Sequence, residues 1–170
     1  MAARLGVVGL GGLGSATAYW AARRGVDVVG FEQFELGHVR GASHDRSRII
    51  RRSYHTPRYV RLAADAYAAW RAVEEALDEP IVTVTGGVDL FPTGAAIDIG
   101  TYTSSLAAEA VPFEVVDGAE VQRRWPAFAG GTRIGDDVTA IVSPDTGIVP
   151  AGRATAALQQ LAVAHGADLR

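Results

Sequence analysis

The segment 9–14 reads Gly-Leu-Gly-Gly-Leu-Gly and directly follows an apolar run at residues 5–8. An apolar run followed by Gly-x-Gly-x-x-Gly is typical of a strand, a tight turn and the start of a helix. Gly9 permits the turn out of the strand, Gly11 lets the backbone approach a diphosphate, and Gly14 lets helix and strand pack closely. The free N–H groups at the start of that helix would then face an anion.

An acidic residue lies where a dinucleotide site needs one. Glu32 directly follows a second apolar run, residues 26–31, at the expected distance of about 20 residues from the glycine-rich turn. Its carboxylate is placed to accept hydrogen bonds from the hydroxyls of an adenosine ribose, and its charge would repel a 2'-phosphate. The pattern therefore predicts a chain that binds FAD or NAD and disfavours NADP.

The composition is that of an ordinary globular domain. The chain has 170 residues, of which 48% are hydrophobic and 21% are charged, with a formal net charge of -3. This length suits one domain, or one domain with part of another. No segment has the continuous apolar length of a membrane span, and the N-terminal glycines belong to the nucleotide motif rather than to a secretion signal. A cytoplasmic protein without membrane contact is therefore expected.

Several kinds of chemistry are excluded by residue types that the chain lacks. It has no cysteine, and all 16 residues counted as lysine or arginine are arginine. Disulfides, thiolate ligands, thiol nucleophiles and Schiff-base lysines are therefore excluded within this chain. The histidines show no ligand spacing, so no metal site is predicted.

Arginines are concentrated between residues 40 and 61. A basic cluster can mark a surface that binds nucleic acid. The net charge is acidic, however, and neither stacking aromatics nor a recognition-helix pattern accompanies the cluster. No nucleic-acid partner is therefore expected. The arginines of this cluster are Arg40, Arg46, Arg48, Arg51, Arg52, Arg58 and Arg61.

The two ends of the chain predict alternating strands and helices. A helix is expected over 15–24 and a second strand directly after it, followed by a long polar loop over 33–47. Thr56-Pro57 predicts the start of a long helix that ends at Pro80. The apolar stripe of that helix, expected to pack on a core, consists of Leu62, Ala66, Trp70, Val73 and Leu77.

The middle of the chain has a different pattern. Short strands are predicted on both sides of Gly86-Gly87 and over 113–116, and Asp117 is predicted to cap a helix. Because strand and helix do not alternate here, a separate antiparallel layer is indicated. A helix over 151–165 and a strand from Asp168 then return to the first pattern.

These elements predict an α/β fold. It would consist of a Rossmann-type half with an incomplete parallel sheet and a smaller antiparallel α+β layer inserted into it. The chain ends where a further parallel strand is expected, so a fragment of a longer protein is predicted.

The most specific motif is Ser43-His44 followed by Arg48-Ile49-Ile50-Arg51. Other motifs occur around it in a fixed order over nearly the whole chain. They are the glycine-rich turn with Glu32, Tyr59-Val60 with Trp70, Thr85-Gly86-Gly87-Val88, Arg124-Trp125-Pro126 and Asp145-Thr146-Gly147. Together they resemble the monomeric sarcosine oxidase family, which includes N-methyltryptophan oxidase and pipecolate oxidase.

The resemblance implies FAD bound by an N-terminal Rossmann half, with the substrate under a smaller antiparallel domain. Residues 1–84 would form the first segment of the FAD-binding domain, 85–144 part of the substrate domain, and 145–170 a truncated second FAD-binding segment. The glycine motif and the resemblance together give a set of cofactor-binding residues: Gly9, Gly11, Gly12, Leu13, Gly14, Glu32, Gln33, Ser43 and Arg48.

The implied activity is oxidation of the C–N bond of a secondary or N-methyl amino acid. By resemblance, a hydride moves from the carbon next to nitrogen to the flavin, the imine is hydrolysed, and oxygen is reduced to hydrogen peroxide. The candidate catalytic residues are Arg48 and His44 near the flavin and Arg51 on the substrate carboxylate. A guanidinium fork matches a carboxylate bidentately, at about 1.5–3 kcal/mol per charged hydrogen bond. The complete enzyme is expected to be a monomer that takes a small amino-acid substrate.

Two features depart from the resembling pattern. Asp45 stands where the family usually has glycine or histidine, which places a negative charge near the flavin. The family also has a lysine over the flavin, a second lysine that binds the carboxylate, and a cysteine joined to the flavin. This chain has neither lysine nor cysteine.

Other interpretations stay open at this point. Arg48 and Arg51 could pair with nearby acids, as surface arginines often do, and His44 could cap a backbone group. An NAD-dependent dehydrogenase would share the glycine turn and the acid. The third alternative is an inactive, truncated fragment.

Overall fold

The structure is a computed structural model that describes residues 4–129, 134–135 and 137–170. The strands are β1 (Arg4–Val8), β2 (Asp27–Phe31), β3 (Arg48–Ile50), β4 (Thr83–Val84), β5 (Gly87–Pro92), β6 (Glu114–Asp117), β7 (Val138–Ser143), β8 (Gly147–Val149) and β9 (Asp168–Leu169). The helices are α1 (Gly12–Ala22), α2 (Pro57–Leu77), α3 (Ile99–Ala108), α4 (Gly118–Arg124) and α5 (Ala151–Ala164), with a 3-10 helix at Pro126–Ala129.

The chain divides into two compact units. The first unit consists of the chain up to Arg48 together with Ala69–Thr83 and Ile148–Arg170. The second unit consists of Ile49–Ala68 and Val84–Gly147. Each unit therefore combines segments that lie far apart in the sequence. The assignment of an FAD-binding and a substrate domain to segments of the chain stays a prediction.

The first unit contains a parallel sheet with strand order β1-β2-β9. Because neighbouring parallel strands need a crossover, α1 connects β1 to β2. α1 also packs against α5 within this unit. The core residues come from strands and helices alike and include Val28, Tyr19, Val73 and Leu158.

The second unit contains an antiparallel sheet with strand order β5-β7-β6. Its central strand, β7, places Ile141 opposite Asp89 of β5 and Val115 of β6. Ile141 packs in a cluster with Val60 and Leu106. The predicted α/β class is thus confirmed, with a parallel sheet flanked by helices and antiparallel strands from the middle of the chain.

Local signals located most helices correctly. Asp117 caps α4 as predicted, because its side chain accepts a hydrogen bond of 2.8 Å from the Glu120 N–H. The helix expected over 151–165 is α5 (Ala151–Ala164). α1 begins at Gly12, inside the glycine-rich motif and before the predicted start.

Three strands and one apolar position differ from the prediction. β3, β7 and β8 were not predicted as strands, and β8 lies between the Asp145 turn and α5. In β7 the adjacent residues Ala140 and Ile141 are both fully buried, so the strand lacks the alternation that identifies a half-buried strand. Leu62, placed in the apolar stripe of α2, is 59% exposed, while Val60 and Tyr67 are buried instead.

Candidate cofactor-binding site

The glycine-rich turn joins β1 to α1 and depends on two of its glycines. Gly9 has a φ of +85°, in the left-handed region that side chains rarely adopt. A Cβ at Gly14 would lie 1.8 Å from the Gly9 carbonyl oxygen, because the first turn of the helix packs directly on the turn. The sequence therefore places α1 with its N-terminus at the carboxyl end of β1.

The N-terminus of α1 presents backbone donors. The Gly12 N–H donates to the Ser43 hydroxyl at 2.9 Å. The N–H groups of Leu13 and Gly14 have no acceptor among the residues that the structure describes. Donors at the positive end of a helix are suited to an anion such as a diphosphate.

Glu32 lies directly after β2 and its carboxylate accepts several hydrogen bonds. Oε2 accepts from the Leu10 N–H at 2.8 Å, and Oε1 accepts from the Gln33 N–H at 2.9 Å. His38 Nε2 lies 3.3 Å from Oε1. The Leu10 hydrogen bond contributes most to lowering the pKa of Glu32, against the opposing effect of burial. Glu32 is therefore an anion at neutral pH.

A cavity of about 270 Å³ lies in the first unit beside this acid. Three parts of the unit line it: the turn with Glu32, the loop after β2, and one side of α5. From these parts the lining residues are Leu10, Gly11 and Glu32, residues 36–39 and 41–44, and Gly152, Thr155, Ala156 and Gln159.

The structure brings some of the predicted residues together at this cavity. Gly11, Glu32, Ser43 and His44 line it, and Gly12 is linked to it through the Ser43 hydroxyl. The lining does not include the remaining predicted cofactor-binding positions. Those positions are Gly9, Leu13, Gly14, Gln33 and Arg48. The Gln33 backbone nevertheless bonds the Glu32 carboxylate.

Ser43 lies where the loop after β2 approaches the glycine-rich turn and α5. A Cβ at Gly11 would lie only 3.2 Å from the Ser43 Oγ, so the serine approaches the turn closely. The Thr155 hydroxyl of α5 donates to the Ala151 carbonyl of its own helix at 2.9 Å, and it lies 3.4 Å from the Ser43 carbonyl oxygen. The loop thus lies close to the turn on one side and to α5 on the other.

Gln159 and His38 are among the cavity residues that were not predicted from the sequence. Gln159 of α5 is 7% exposed, and its Nε2 donates to the Leu10 carbonyl at 2.8 Å. His38 lies beside Glu32. The sequence holds no signal for Gln159, because its partner is 149 residues away and a glutamine within a helix is usually exposed.

Arg48 is engaged within its own loop. Its Nη1 donates to Asp45 Oδ2 at 2.9 Å, and its Nη2 donates to the Ala42 carbonyl at 2.7 Å. The hydrogen bond from Arg48 is the main cause that lowers the pKa of Asp45. The acid that departs from the resembling pattern thus pairs with Arg48, and a place for Arg48 beside a flavin stays a prediction.

Arg51 belongs to the second unit and also pairs with an acid. Its Nη1 donates to Asp89, and its guanidinium carbon lies 5.5 Å from the centre of the Tyr54 ring. The alternative that these arginines pair with acids therefore describes the contacts of both Arg48 and Arg51. A second role toward a substrate stays a prediction.

The site fits the adenosine diphosphate part of a dinucleotide. It combines helix N-terminal amides, an ionised acid after the second parallel strand, and a cavity that contacts both Gly11 and Glu32. Within the described ranges, no cluster of acidic or histidine side chains could hold a metal ion. No helix within the same ranges is long and apolar enough to cross a membrane.

Comparison with known proteins identifies the family. The sequence profile of the DAO family, described as FAD dependent oxidoreductase, matches residues 4–170. The chain belongs to this family. Gly11 of the glycine-rich turn and Glu32 both line the cavity of this family member.

Curated relatives of this DAO family member include a sarcosine oxidase and an N-methyl-L-tryptophan oxidase. Monomeric sarcosine oxidase of Streptomyces avermitilis is 35% identical over 164 residues, covering 96% of this chain and 41% of the relative. N-methyl-L-tryptophan oxidase of Yersinia pestis is 27% identical over 146 residues, covering 83% of this chain and 37% of the relative. The chain thus spans about two fifths of the length of these relatives.

Solved structures support the same fold for this member of the DAO family. A variant of NikD, an unusual amino acid oxidase essential for nikkomycin biosynthesis, superposes with a TM-score of 0.82 at 27% identity. The match covers 97% of this chain and 42% of NikD. L-proline dehydrogenase from P. horikoshii has the same fold, with a TM-score of 0.78 at 22% identity over 98% of this chain and 43% of that enzyme.

Proposed function

We propose that the complete protein carrying this chain is an FAD-dependent amine oxidase that acts on a secondary or N-methyl amino acid. The observation that carries the proposal is that Gly11, Glu32 and Ser43 line one cavity beside the N-terminus of α1. The names of the sarcosine and N-methyltryptophan oxidases among the relatives support the substrate class.

Glu32 and α1 have distinct roles in this proposal. The amides of Leu13 and Gly14 bind the diphosphate, because their position at the helix N-terminus favours an anion. Glu32 binds the adenosine ribose, exchanging its contact with His38 for the ribose hydroxyls. Ser43 keeps the loop close to the turn, so that one side of the cavity is already formed before FAD binds.

Arg48, His44 and Arg51 are the residues proposed to act nearest the reaction. Bound FAD supplies the acceptor for two electrons from the carbon next to the substrate nitrogen. Arg51 holds the substrate carboxylate and so orients that carbon, while Arg48 supplies positive charge near the flavin. His44 lines the cavity and is proposed to contact the cofactor.

An NAD-dependent dehydrogenase is the alternative that the glycine turn and Glu32 left open. The match to the FAD-dependent oxidoreductase family over residues 4–170 disfavours it, as do the names of the relatives.

The test of the proposal is a spectrum followed by a substrate reaction. The complete protein is purified and its visible absorption recorded before and after anaerobic addition of sarcosine, N-methyl-L-tryptophan or pipecolate. We expect flavin bands that disappear with at least one of these amines, and hydrogen peroxide when air is admitted. A colourless protein, or turnover that requires NAD, would contradict the proposal.

The role of Arg51 has its own test. We expect Arg51→Ala to raise the KM for the amino acid about 10- to 100-fold at unchanged flavin content, because a charged hydrogen bond contributes about 1.5–3 kcal/mol. Arg58→Ala, an exposed arginine of the same cluster at the start of α2, is the matched control and should change neither quantity. An unchanged KM in Arg51→Ala would remove Arg51 from the substrate site.

A further inference from the structure

The contacts of Arg51 form a short chain of hydrogen bonds in the second unit. Arg51 Nη1 donates to Asp89 Oδ1, and the Ser53 hydroxyl donates to Asp89 Oδ2. Ser53 is fully buried and the Asp89 side chain is 19% exposed. Asp89 is thus fixed at both oxygens, with a buried hydroxyl on one side and the arginine on the other.

The backbone of Asp89 is part of a paired strand. Asp89 lies within β5 and faces Ile141 of the central strand β7 in the sheet register. Ile141 is fully buried. The strand pairing fixes the Asp89 backbone, and the hydrogen bonds from Ser53 and Arg51 hold its two carboxylate oxygens. Tyr54 limits Arg51 further, since the guanidinium carbon lies 5.5 Å from its ring centre.

The pairing leaves part of the guanidinium available. The hydrogen bond to Asp89 comes from Nη1, and Nε and Nη2 donate to no residue in the described part of the chain. Arginine can present two parallel N–H groups to a carboxylate, and the Nε and Nη2 groups form such a pair. The Arg51 side chain is 34% exposed, so it is not closed off from solvent by the pairing with Asp89.

We propose that Asp89, held by Ser53, is a positioning residue that fixes the Arg51 guanidinium for a substrate carboxylate. The inference rests on the proposed role of Arg51 in substrate binding. A bidentate contact needs both N–H groups aligned at once, and an unsupported arginine samples many rotamers. The negative charge of Asp89 opposes carboxylate binding, but the alignment it provides outweighs that repulsion.

Two variants separate alignment from charge. Asp89→Asn keeps an acceptor for Arg51 and a polar partner for Ser53 while it removes the charge. Asp89→Ala removes both. If Asp89 acted only through its charge, both variants would bind a carboxylate more tightly. If Asp89 aligns Arg51, Asp89→Ala binds it more weakly and Asp89→Asn does not.

The experiment measures binding of propionate, a carboxylate without an amine, to the complete protein by isothermal titration calorimetry. We expect the propionate Kd to rise about 10-fold or more in Asp89→Ala and to stay within about 3-fold of the wild type in Asp89→Asn. Glu109→Ala is the matched control. It removes another ion pair of the second unit, to Arg61, and the Glu109 side chain has the same 19% exposure.

Arg51→Ala in the same titration separates the two proposals. Loss of propionate binding in Arg51→Ala together with wild-type binding in Asp89→Ala would overturn the positioning role while leaving Arg51 in the site. Wild-type binding in Arg51→Ala would instead remove the proposed role of Arg51. If Asp89→Ala does not fold, Ser53→Ala replaces it: weaker binding supports the inference, and an unchanged Kd overturns it.

Discussion

The side-chain amide of Gln159 donates a hydrogen bond of 2.8 Å to the carbonyl of Leu10, a residue 149 positions earlier in the chain. The same carbonyl accepts from the Ser15 hydroxyl at 2.6 Å, and the Leu10 N–H donates to Glu32. Leu10 therefore connects α5, α1 and the acid after β2. Although α5 lies far from the motif in sequence, it helps to set the shape of the glycine-rich turn.

We predict that Gln159→Ala weakens FAD binding to the complete protein. One hydrogen bond contributes about 0.5–1.5 kcal/mol, so the Kd for FAD should rise by about 3- to 10-fold. The measurement is a fluorescence titration of FAD into the apoprotein. Gln160→Ala changes the neighbouring, exposed glutamine of α5 and should leave the Kd unchanged. Equal affinities in both variants would show that the Gln159 contact does not support the site.

We predict that Gly14→Ala abolishes FAD binding. The added methyl group would lie 1.8 Å from the Gly9 carbonyl oxygen, so the turn and the start of α1 cannot both keep their positions. The protein should purify without flavin absorbance and melt at a lower temperature. Gly6→Ala, in β1, adds a methyl group with no atom within 4 Å and serves as the control. Normal flavin content in Gly14→Ala would contradict this packing.

We predict that Glu32→Gln lowers the affinity for FAD. The neutral amide accepts hydrogen bonds more weakly than a carboxylate, and charged hydrogen bonds contribute about 1.5–3 kcal/mol, so the Kd should rise about 10- to 100-fold. Glu35→Gln, at an exposed position of the loop after β2, is the control. The titration with FAD is the readout. Wild-type affinity for FAD in Glu32→Gln would show that the ribose binds elsewhere.

Glu120 gives a prediction on acid stability. Hydrogen bonds from Arg123 and then Arg124 lower the pKa of Glu120 from 4.5 to about 2. Because the folded pKa lies below the unfolded one, Glu120 stabilises the fold above about pH 4.5 and loses this effect as the pH falls toward about 2. The difference in Tm between wild type and Glu120→Gln should be small at neutral pH, should shrink as the pH falls through that window and should vanish at its lower end. A difference independent of pH would contradict the ion pairs.

Local patterns were sufficient for the turn, the acid and the N-terminal cap of α4. Gly9 needs its left-handed φ because of the bend that it makes, and Asp117 caps α4 through a residue three positions away. Strand β7 was missed because Ala140 and Ile141 are buried side by side, and a short apolar run without alternation does not identify a strand. The predicted burial of Leu62 is wrong, because the spacing of apolar residues alone does not determine which side of α2 is covered.

The sequence by itself determined the parts whose interactions lie within a few residues: the β1-turn-α1 unit, the acid after β2 and the alternation that indicates an α/β fold. Only the tertiary structure decided which carboxylate pairs with Arg51 and which side chain holds the Leu10 carbonyl. Those contacts join residues 38 and 149 positions apart. The packing of strands and helices decides which of these residues meet. One such hydrogen bond contributes too little free energy to bring two distant residues together in an unfolded chain.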